Sequence, residues 1–596
     1  MFKQTTLISI VLLLGTQFIG CKQQNTTKET QKRPNVILIM TDDQGYGDYG
    51  FHGNHHIKTP VLDNFAQNSI SFTNFHVSPV CAPTRSSLMT GRYSLRTGVR
   101  DTYNGGAIMS TNEVTIAEIL SKSGYQTGIF GKWHLGDNYP TRPMDQGFKE
   151  SVVHLGGGVG QPGDYPNYWA KDSSYFDPTL MHNGVLENYQ GYCSDVYTDE
   201  AIKYIKENSE KPFFIYLSYN APHTPLQLPQ EYYDMYKDID PASGFDKEDR
   251  LPEMTEKDKE DARKVYGMVT NLDDNIGRVL KALKKQNIDE NTLVIFLTDN
   301  GPQQRRFVSG MRGRKGMVYR GGVRVPCYMK FPKGFPEKKV IDVPTSHFDI
   351  PVMIASLCNA EMPADRPIDG ENLLPLITED KNKEVFNNRP LFFQWTRRSI
   401  TKYHNMAVMK NGHKLAMNAD YNSPMDKFEL FNLENDPFEE KNIISENTEL
   451  AKSLKSEIDS WYIEMISSPN AIETKAAIIG TNHENPVVLD RNDAKGTEGV
   501  WRHHEVYGYW DVKIAKAGKY NIKFKFISPL EDPGTMKFQI GPVLHTLSNK
   551  DTGVDELVMK NVFIPEIEGM LEPWYFSWTR GRAKNILPFT VEIEKI

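Results

Sequence analysis

Cysteine is scarce: there are five in 596 residues, at positions 21, 81, 193, 327 and 358. Those spacings form no disulfide framework. The fold therefore has to rest on hydrophobic cores, and the length allows more than one. Positive charge is not in excess either. A formal net charge of −7 excludes a general nucleic-acid binder, which is normally basic, and leaves only a local basic pocket open. Internal repeats and sizeable low-complexity segments are absent, and the composition is that of ordinary globular domains. Long hydrophobic runs are lacking as well: the apolar stretch over 7–14 is too brief for a stable membrane span.

What is present begins with an export leader. Lys3 supplies the positive start, the stretch over 7–14 the apolar middle, and the chain turns polar after Phe18-Ile19-Gly20-Cys21. A small residue before that cysteine resembles a bacterial lipobox, in which the mature N-terminal cysteine carries a lipid. Phe18 stands where Leu is usual, so plain signal-peptidase cleavage stays open. The expectation is a signal peptide over 1–21 with Cys21 lipidated, then a polar linker over 22–32. The protein would be exported by a bacterium to the periplasm or the outer-membrane or cell surface, touching the membrane only through its lipid.

From residue 33 the pattern alternates. The apolar run 35–40 reads as a buried strand and is followed at once by Thr41-Asp42-Asp43. Thr59-Pro60 opens a helix with Val61, Leu62 and Phe65 on its apolar face. A helix over 114–123 ends at Gly124, and a strand over 125–130 runs into Gly131-Lys132-Trp133-His134. The pattern recurs twice. A helix at 198–207 leads to a strand at 213–219 and to Asn220-Ala221-Pro222-His223. A helix at 258–285 leads to a strand at 292–297 and to Thr298-Asp299-Asn300-Gly301. This alternation predicts an α/β fold with a mostly parallel sheet covered on both faces. Open α/β sheets bind ligands outside the carboxyl ends of their strands. Asp42, Asp43, Lys132, His134, His223, Asp299 and Asn300 are therefore expected to converge.

Near residue 470 the character changes. Trp510, Val512 and Ile514, then Tyr520, Ile522, Phe524 and Phe526, alternate with polar residues around an Ala517-Gly518 turn. That pattern predicts a hairpin of half-buried strands. Half of the eight tryptophans (Trp501, Trp510, Trp574 and Trp578) fall in this stretch. Aromatic faces stack on sugars, yet in a sandwich the same residues serve as core. The expected domains are a catalytic α/β domain over 33–370, a smaller α+β subdomain over 371–470 and an all-β sandwich over 480–596.

The most specific local signal is Cys81-Ala82-Pro83-Thr84-Arg85, continuing Ser86-Ser87-Leu88-Met89-Thr90-Gly91-Arg92. C-x-P-x-R alone also reads as a buried cysteine before a helix begun at Pro83. The extended match resembles the signature of the formylglycine-dependent sulfatases, of alkaline-phosphatase-like fold. In that family a formylglycine-generating enzyme oxidises the cysteine to an aldehyde. The resemblance also runs through 33–48, 124–136, 220–225, 298–301, 315–326 and 429–437, and does not reach the β-rich tail. It implies hydrolysis of sulfate esters. Export, a basic loop and the aromatic tail point to a sulfated carbohydrate, such as a polysaccharide fragment, as the substrate.

The chemistry suits these residue types. A hydrated aldehyde is a geminal diol: one hydroxyl attacks sulfur, and the other, on losing its proton, expels the sulfate. A plain Cys or Ser lacks that second step. A helix N-terminus adds N–H donors for an anion. Asp42, Asp43, Asp299 and Asn300 offer hard oxygen ligands, which the resemblance assigns to one metal ion, calcium in preference to magnesium, completed by residue 81. Taken singly, each pair also reads as a solvated turn.

By the same resemblance, Lys132 and His134 touch the sulfate or the nucleophile, and His223 protonates the leaving oxygen. Asp299 doubles as a base, Arg85 anchors the formylglycine and Lys315 binds substrate. The chain departs from its relatives at Arg320, where they commonly carry Glu. With Arg305, Arg306, Arg312 and Arg314 it makes a basic stretch. That stretch is read either as a solvated face or as a subsite for further sulfates or uronate carboxylates. Two rivals remain: a phosphonate or phosphodiester hydrolase of the same fold, and a non-catalytic sugar-binding lipoprotein.

Overall fold

The structure is a computed structural model that describes residues 33–473, 475–579 and 581–596. The leader, Cys21 and the linker lie outside the described residues. The apolar run after the linker forms the strand Asn35–Thr41, buried along its whole length. Alternation of side chains divides it between two faces. Val36, Leu38 and Met40 enter one core, and Ile37 and Ile39 enter the other. A strand covered on both sides has no polar face, which is why its sequence is continuously apolar.

This strand lies inside a ten-stranded sheet, parallel to Phe213–Ser218 on one side and to Thr292–Thr298 on the other. Gln126–Lys132 and Glu150–His154 extend the parallel array. Antiparallel strands begin at Cys327–Lys330 on one flank and Thr179–His182 on the other. Helices Cys81–Thr90, Ile116–Lys122 and Asp349–Leu357 cover one face. Pro60–Gln67, Cys193–Glu207 and Glu256–Lys285 cover the other. Two of these start where sequence dictates, with reciprocal caps between Thr115 and Glu118 and between Thr255 and Asp258. The expected α/β architecture is the one that forms.

Residues 391–432 build a four-stranded antiparallel sheet. Ala451, Leu454 and Ile458 of the helix Thr448–Ile466 pack on its Val408, Leu415 and Leu430. From Ala477 onward two further sheets, of seven and four strands, close around one apolar core containing Trp510, Val512, Ile522, Phe524 and Phe538.

The expected hairpin is not there. Gly508–Ile514 pairs with Ile567–Thr579 in the seven-stranded sheet. Gly518–Leu530 pairs with Val554–Ile564 and Thr590–Lys595 in the other. Alternation reports which face of a strand is buried, not which neighbour bonds it. Here the two strands point their apolar faces inward from opposite layers, and the Ala515 N–H at the turn goes to Ile479 O of the strand Ala477–Ile479, not to the returning strand.

Candidate active site

The central parallel strands end at one edge, and the loops beyond that edge carry the charged residues. Thr41 lies opposite Thr298 and Gly131 opposite Ser218, so the residues that follow are brought level. Gly131 is required there: a Cβ would lie 1.8 Å from Ser218 O, and only glycine tolerates the approach. The helix Cys81–Thr90 meets the same edge, with Thr84 Oγ1 donating to Asp299 O at 2.8 Å. Lys315 is delivered by a loop locked at two points. Its N–H donates to Pro302 O, and a Cβ on Gly301 would lie 1.9 Å from Gly321 O.

The side chains then form one buried network. Lys132 Nζ donates to Asp42 Oδ2 at 2.6 Å. Arg85 Nη2 donates to Asp299 Oδ2 at 2.9 Å and lies 3.8 Å from Asp42. Lys315 Nζ is 2.7 Å from Asp43 Oδ1, which also accepts from Asn300 Nδ2 at 2.8 Å. His134 Nε2 faces the Thr102 carbonyl at 2.8 Å, so that nitrogen carries the proton. Its bare Nδ1 is left 3.4 Å from Cys81 Sγ. His223 is held by the Tyr175 hydroxyl on its carbonyl and by Nδ1 against Thr224 O, with Nε2 3.7 Å from Asp43 Oδ2.

Comparison with known proteins fits this geometry. The sulfatase family model matches residues 34–360, and the C-terminal model of N-sulphoglucosamine sulphohydrolase matches 313–463. The chain belongs to the sulfatase family. Arylsulfatase J of Mus musculus is 30% identical over 365 residues, 58% of this chain and 56% of that one, so the match spans little more than half of that relative. The ulvan-active sulfatase of Formosa agariphila is 28% identical over 411 residues, 65% of this chain and 75% of that one. The crystal structure of Ps i-CgsB in complex with k-i-k-neocarrahexaose superposes with a TM-score of 0.63 at 31% identity. It covers 74% of this chain and 94% of that one.

Sulfatases use a metal ion, and the residues of this sulfatase fit one. Asp42 Oδ1, Asp43 Oδ2 and Asn300 Oδ1 are buried without any hydrogen-bond partner among the described residues. Candidate ligand atoms of Asp42, Cys81 and Asp299 lie within 4.8 Å of one another, as do those of Asp42, Asp43 and His223. Each orphaned oxygen costs about 1–3 kcal/mol, and hard oxygens gathered in this way suit a hard cation.

The network also sets protonation. Burial alone would raise the Asp42 carboxyl, but Lys132, His223, Arg85 and Lys315 hold it well below the usual range. Burial pushes Asp299 up to about 7, reinforced by the Asp42 charge. Burial, then Lys132, keeps His134 neutral, and burial with Lys315 brings His223 down to about 4. Burial also raises the Cys81 thiol, so an unmodified cysteine here is a poor nucleophile at neutral pH.

Every site residue expected from the sequence lies in this network except Arg320. That side chain is buried, at 6% exposure. Only the main-chain N–H of Arg320 donates to Glu439 Oε2, and burial with the neighbouring Arg324 brings its guanidinium down to about 10. Its Nε has no hydrogen-bond partner among the described residues, and none of the groups around it belongs to the network, so Arg320 is not brought together with the other expected site residues. The rest of the basic stretch divides. Arg306 is buried against Asp48, Arg312 pairs with Glu429 over the Tyr319 ring, and Arg305 and Arg314 are exposed.

One residue of the site was not foreseen. His154 sits beside Lys132 in parallel register, and both its ring nitrogens are buried without partners among the described residues. Its signal in the sequence was the same strand-end rule: a histidine closing the apolar pair Val152-Val153 before Gly156-Gly157-Gly158.

Proposed function

We propose that this protein hydrolyses sulfate esters of a carbohydrate, with residue 81 converted to formylglycine and Ca²⁺ held by Asp42, Asp43, Asp299 and Asn300. The observation that carries the reading is a deactivated cysteine at a helix N-terminus, inside a basin of balanced charge with unpaired hard oxygens. Three carboxylates (Asp42, Asp43, Asp299) face three cations (Arg85, Lys132, Lys315). A divalent ion therefore leaves the basin positive, which suits an anionic ester.

The hydrated aldehyde would supply one hydroxyl to attack sulfur and a second whose deprotonation expels sulfate. Among the chain's own groups, His134 offers a bare Nδ1 toward residue 81 as proton acceptor. Lys132 and Lys315 hold the sulfate oxygens, and Arg85 fixes Asp299 beside the nucleophile. His223 presents Nε2 to the leaving oxygen and gives it a proton; the sulfate's negative charge favours the imidazolium.

Relatives named for ulvan and for N-acetylgalactosamine 6-sulfate support a sugar sulfate as substrate. The leader supports export, with Cys21 as the site of a lipid anchor. The composition shift near 470 supports an accessory β-domain after the catalytic region.

The test is mass spectrometry of residue 81 in the mature protein, paired with sulfate release before and after chelation. Aldehyde at 81 with chelator-sensitive release is the expected result. Full conversion without release from any of a broad panel of sulfated glycans would overturn it in favour of a phosphonate or phosphodiester substrate.

A further inference from the structure

One residue away from the His134 contact an arginine is held in an unusual way. Arg397 packs against two rings, its guanidinium carbon 5.0 Å from the Tyr103 centroid and 4.7 Å from that of Trp395. Its side chain is 51% exposed. Below it, the fully buried Asp101 is already engaged by the Thr102 N–H, Trp395 Nε1 and the Arg398 N–H. Arg397 reaches Asp101 only at 3.5 Å, through Nη1, which also donates to Thr102 Oγ1 at 3.1 Å. The opposite edge, Nε and Nη2, has no partner among the described residues. An exposed ion pair seldom repays the ordering of a long side chain. A guanidinium packed against two rings with its bidentate edge free is instead arranged to receive an oxyanion that offers two oxygens side by side, a carboxylate or a sulfate.

The slot adjoins the reacting groups on both sides. Thr102, which anchors Arg397, is the residue whose carbonyl holds His134. Trp395 lies over Gly316, where a Cβ would meet its ring at 2.9 Å, next to Lys315. Asn405 Nδ2 donates to both Gly316 O and Trp395 O. The tail supports the same loop, with the Gly496 N–H on Asn104 Oδ1 and the Trp501 ring 6.2 Å from Tyr103.

We propose that Arg397, clamped by Tyr103 and Trp395, is a specificity subsite for a second anionic group on the saccharide that bears the scissile sulfate. This rests on the sulfatase reading above and extends it to a class of substrate: an oligosaccharide carrying another sulfate or a uronate carboxylate near the cleaved ester. A monosulfated, otherwise neutral sugar would leave the slot empty.

The test compares Arg397→Met and Arg397→Lys with wild type, all converted at residue 81. The substrates are an aryl sulfate, a monosulfated neutral oligosaccharide, its disulfated counterpart and a uronate-bearing counterpart. Arg397→Met is expected to lower kcat/KM on one of the two doubly anionic sugars by about 10- to 100-fold relative to the aryl sulfate, mostly through KM. Arg397→Lys should restore only part of it, because the bidentate edge is gone. Whichever sugar suffers identifies the second group.

Equal fractional losses on all four substrates would mean that Arg397 only braces Asp101, and would overturn the proposal. So would a wild type with no preference for a second charge. A binding arm separates this from the sulfatase reading. Calorimetric titration of Cys81→Ala with the same sugars, with and without Arg397→Met, reports the slot even if no sulfate is released. Loss of binding in the double variant supports the slot, and undiminished binding rejects it.

Discussion

Stripping the metal from the folded protein tests the carboxylate cluster without reference to turnover. Asp42 Oδ1, Asp43 Oδ2 and Asn300 Oδ1 are buried and unpaired among the described residues. At about 1–3 kcal/mol each, a cation that engages all three relieves roughly 3–9 kcal/mol. Mass action gives a similar figure: free metal at a thousand times its Kd stabilises by about 4 kcal/mol. The 430 residues from 34 to 463 would unfold with an entropy near 0.9 kcal/mol/K, taking about 2.1 cal/mol/K per residue. Chelation should therefore lower Tm by about 4–5 °C, and by up to about 10 °C if the orphaned oxygens set the scale.

The assay is differential scanning calorimetry before chelation, after removal verified by elemental analysis, and after Ca²⁺ is restored. Ca²⁺ should recover the transition and Mg²⁺ should do so less well, since Mg²⁺ demands stricter geometry and sheds its waters reluctantly. In Asp43→Ala the response to Ca²⁺ should nearly vanish. A Tm unchanged within about 1 °C after verified removal would refute the assignment, as would an equal Ca²⁺ response in Asp43→Ala.

Three further outcomes are expected. His223→Ala should lose far more activity on a sugar sulfate than on an activated aryl sulfate, because only the poorer leaving group needs the proton; equal losses measured side by side would reject the acid role. Arg306→Met leaves the buried Asp48 without its bidentate partner and should cost about 3–5 kcal/mol in urea denaturation, whereas a surface arginine would cost almost nothing. His52 is half-buried between Tyr46 O and the Tyr328 hydroxyl, and desolvation brings it down to about 4 from about 6.5 in the unfolded chain. Between those values the unfolded state binds the proton and the folded state does not. Its contribution is therefore complete above pH 6.5 and lost as pH falls toward 4, by about 3 kcal/mol. Denaturation midpoints of His52→Gln should fall less steeply over that window than those of wild type.

The sheet was legible because its strands are buried on both faces. A run such as Val36 to Met40 has no polar alternation to confuse with a surface strand, and each run ends in a short polar loop. Parallel order then follows from the helices between the strands, and convergence of the loops follows from parallel order. The tail was less legible for a related reason. Half-buried strands announce a face but not a partner, so Trp510-Val512-Ile514 and Tyr520-Ile522-Phe524 read equally well as one hairpin or as two facing layers. Nothing local distinguishes a turn that bonds its flanking strands from one that crosses the core.

Charge was the least transparent feature, because a sequence gives its sign and not its partner. Arg306, Arg312 and Arg320 look alike in a basic stretch. Yet one neutralises buried Asp48, one lies over Tyr319 against Glu429, and one is buried with only its main-chain N–H on Glu439, whose carboxylate pairs with Lys414. The acidic partner of the buried Arg306 sits 258 residues away, beyond any local spacing rule. Arg397 inverts the case. In sequence it is an ordinary arginine after Trp395. It gains meaning only because Asp101, nearly three hundred residues earlier, already spends its carboxylate on Thr102, Trp395 and Arg398, which leaves one edge of the guanidinium free beside the site. A positive group therefore reads as a binding group only once its nearest carboxylate is found to be engaged elsewhere. Exposure then separates Arg397, half of whose side chain is open to solvent, from Arg320, which is closed off at 6%.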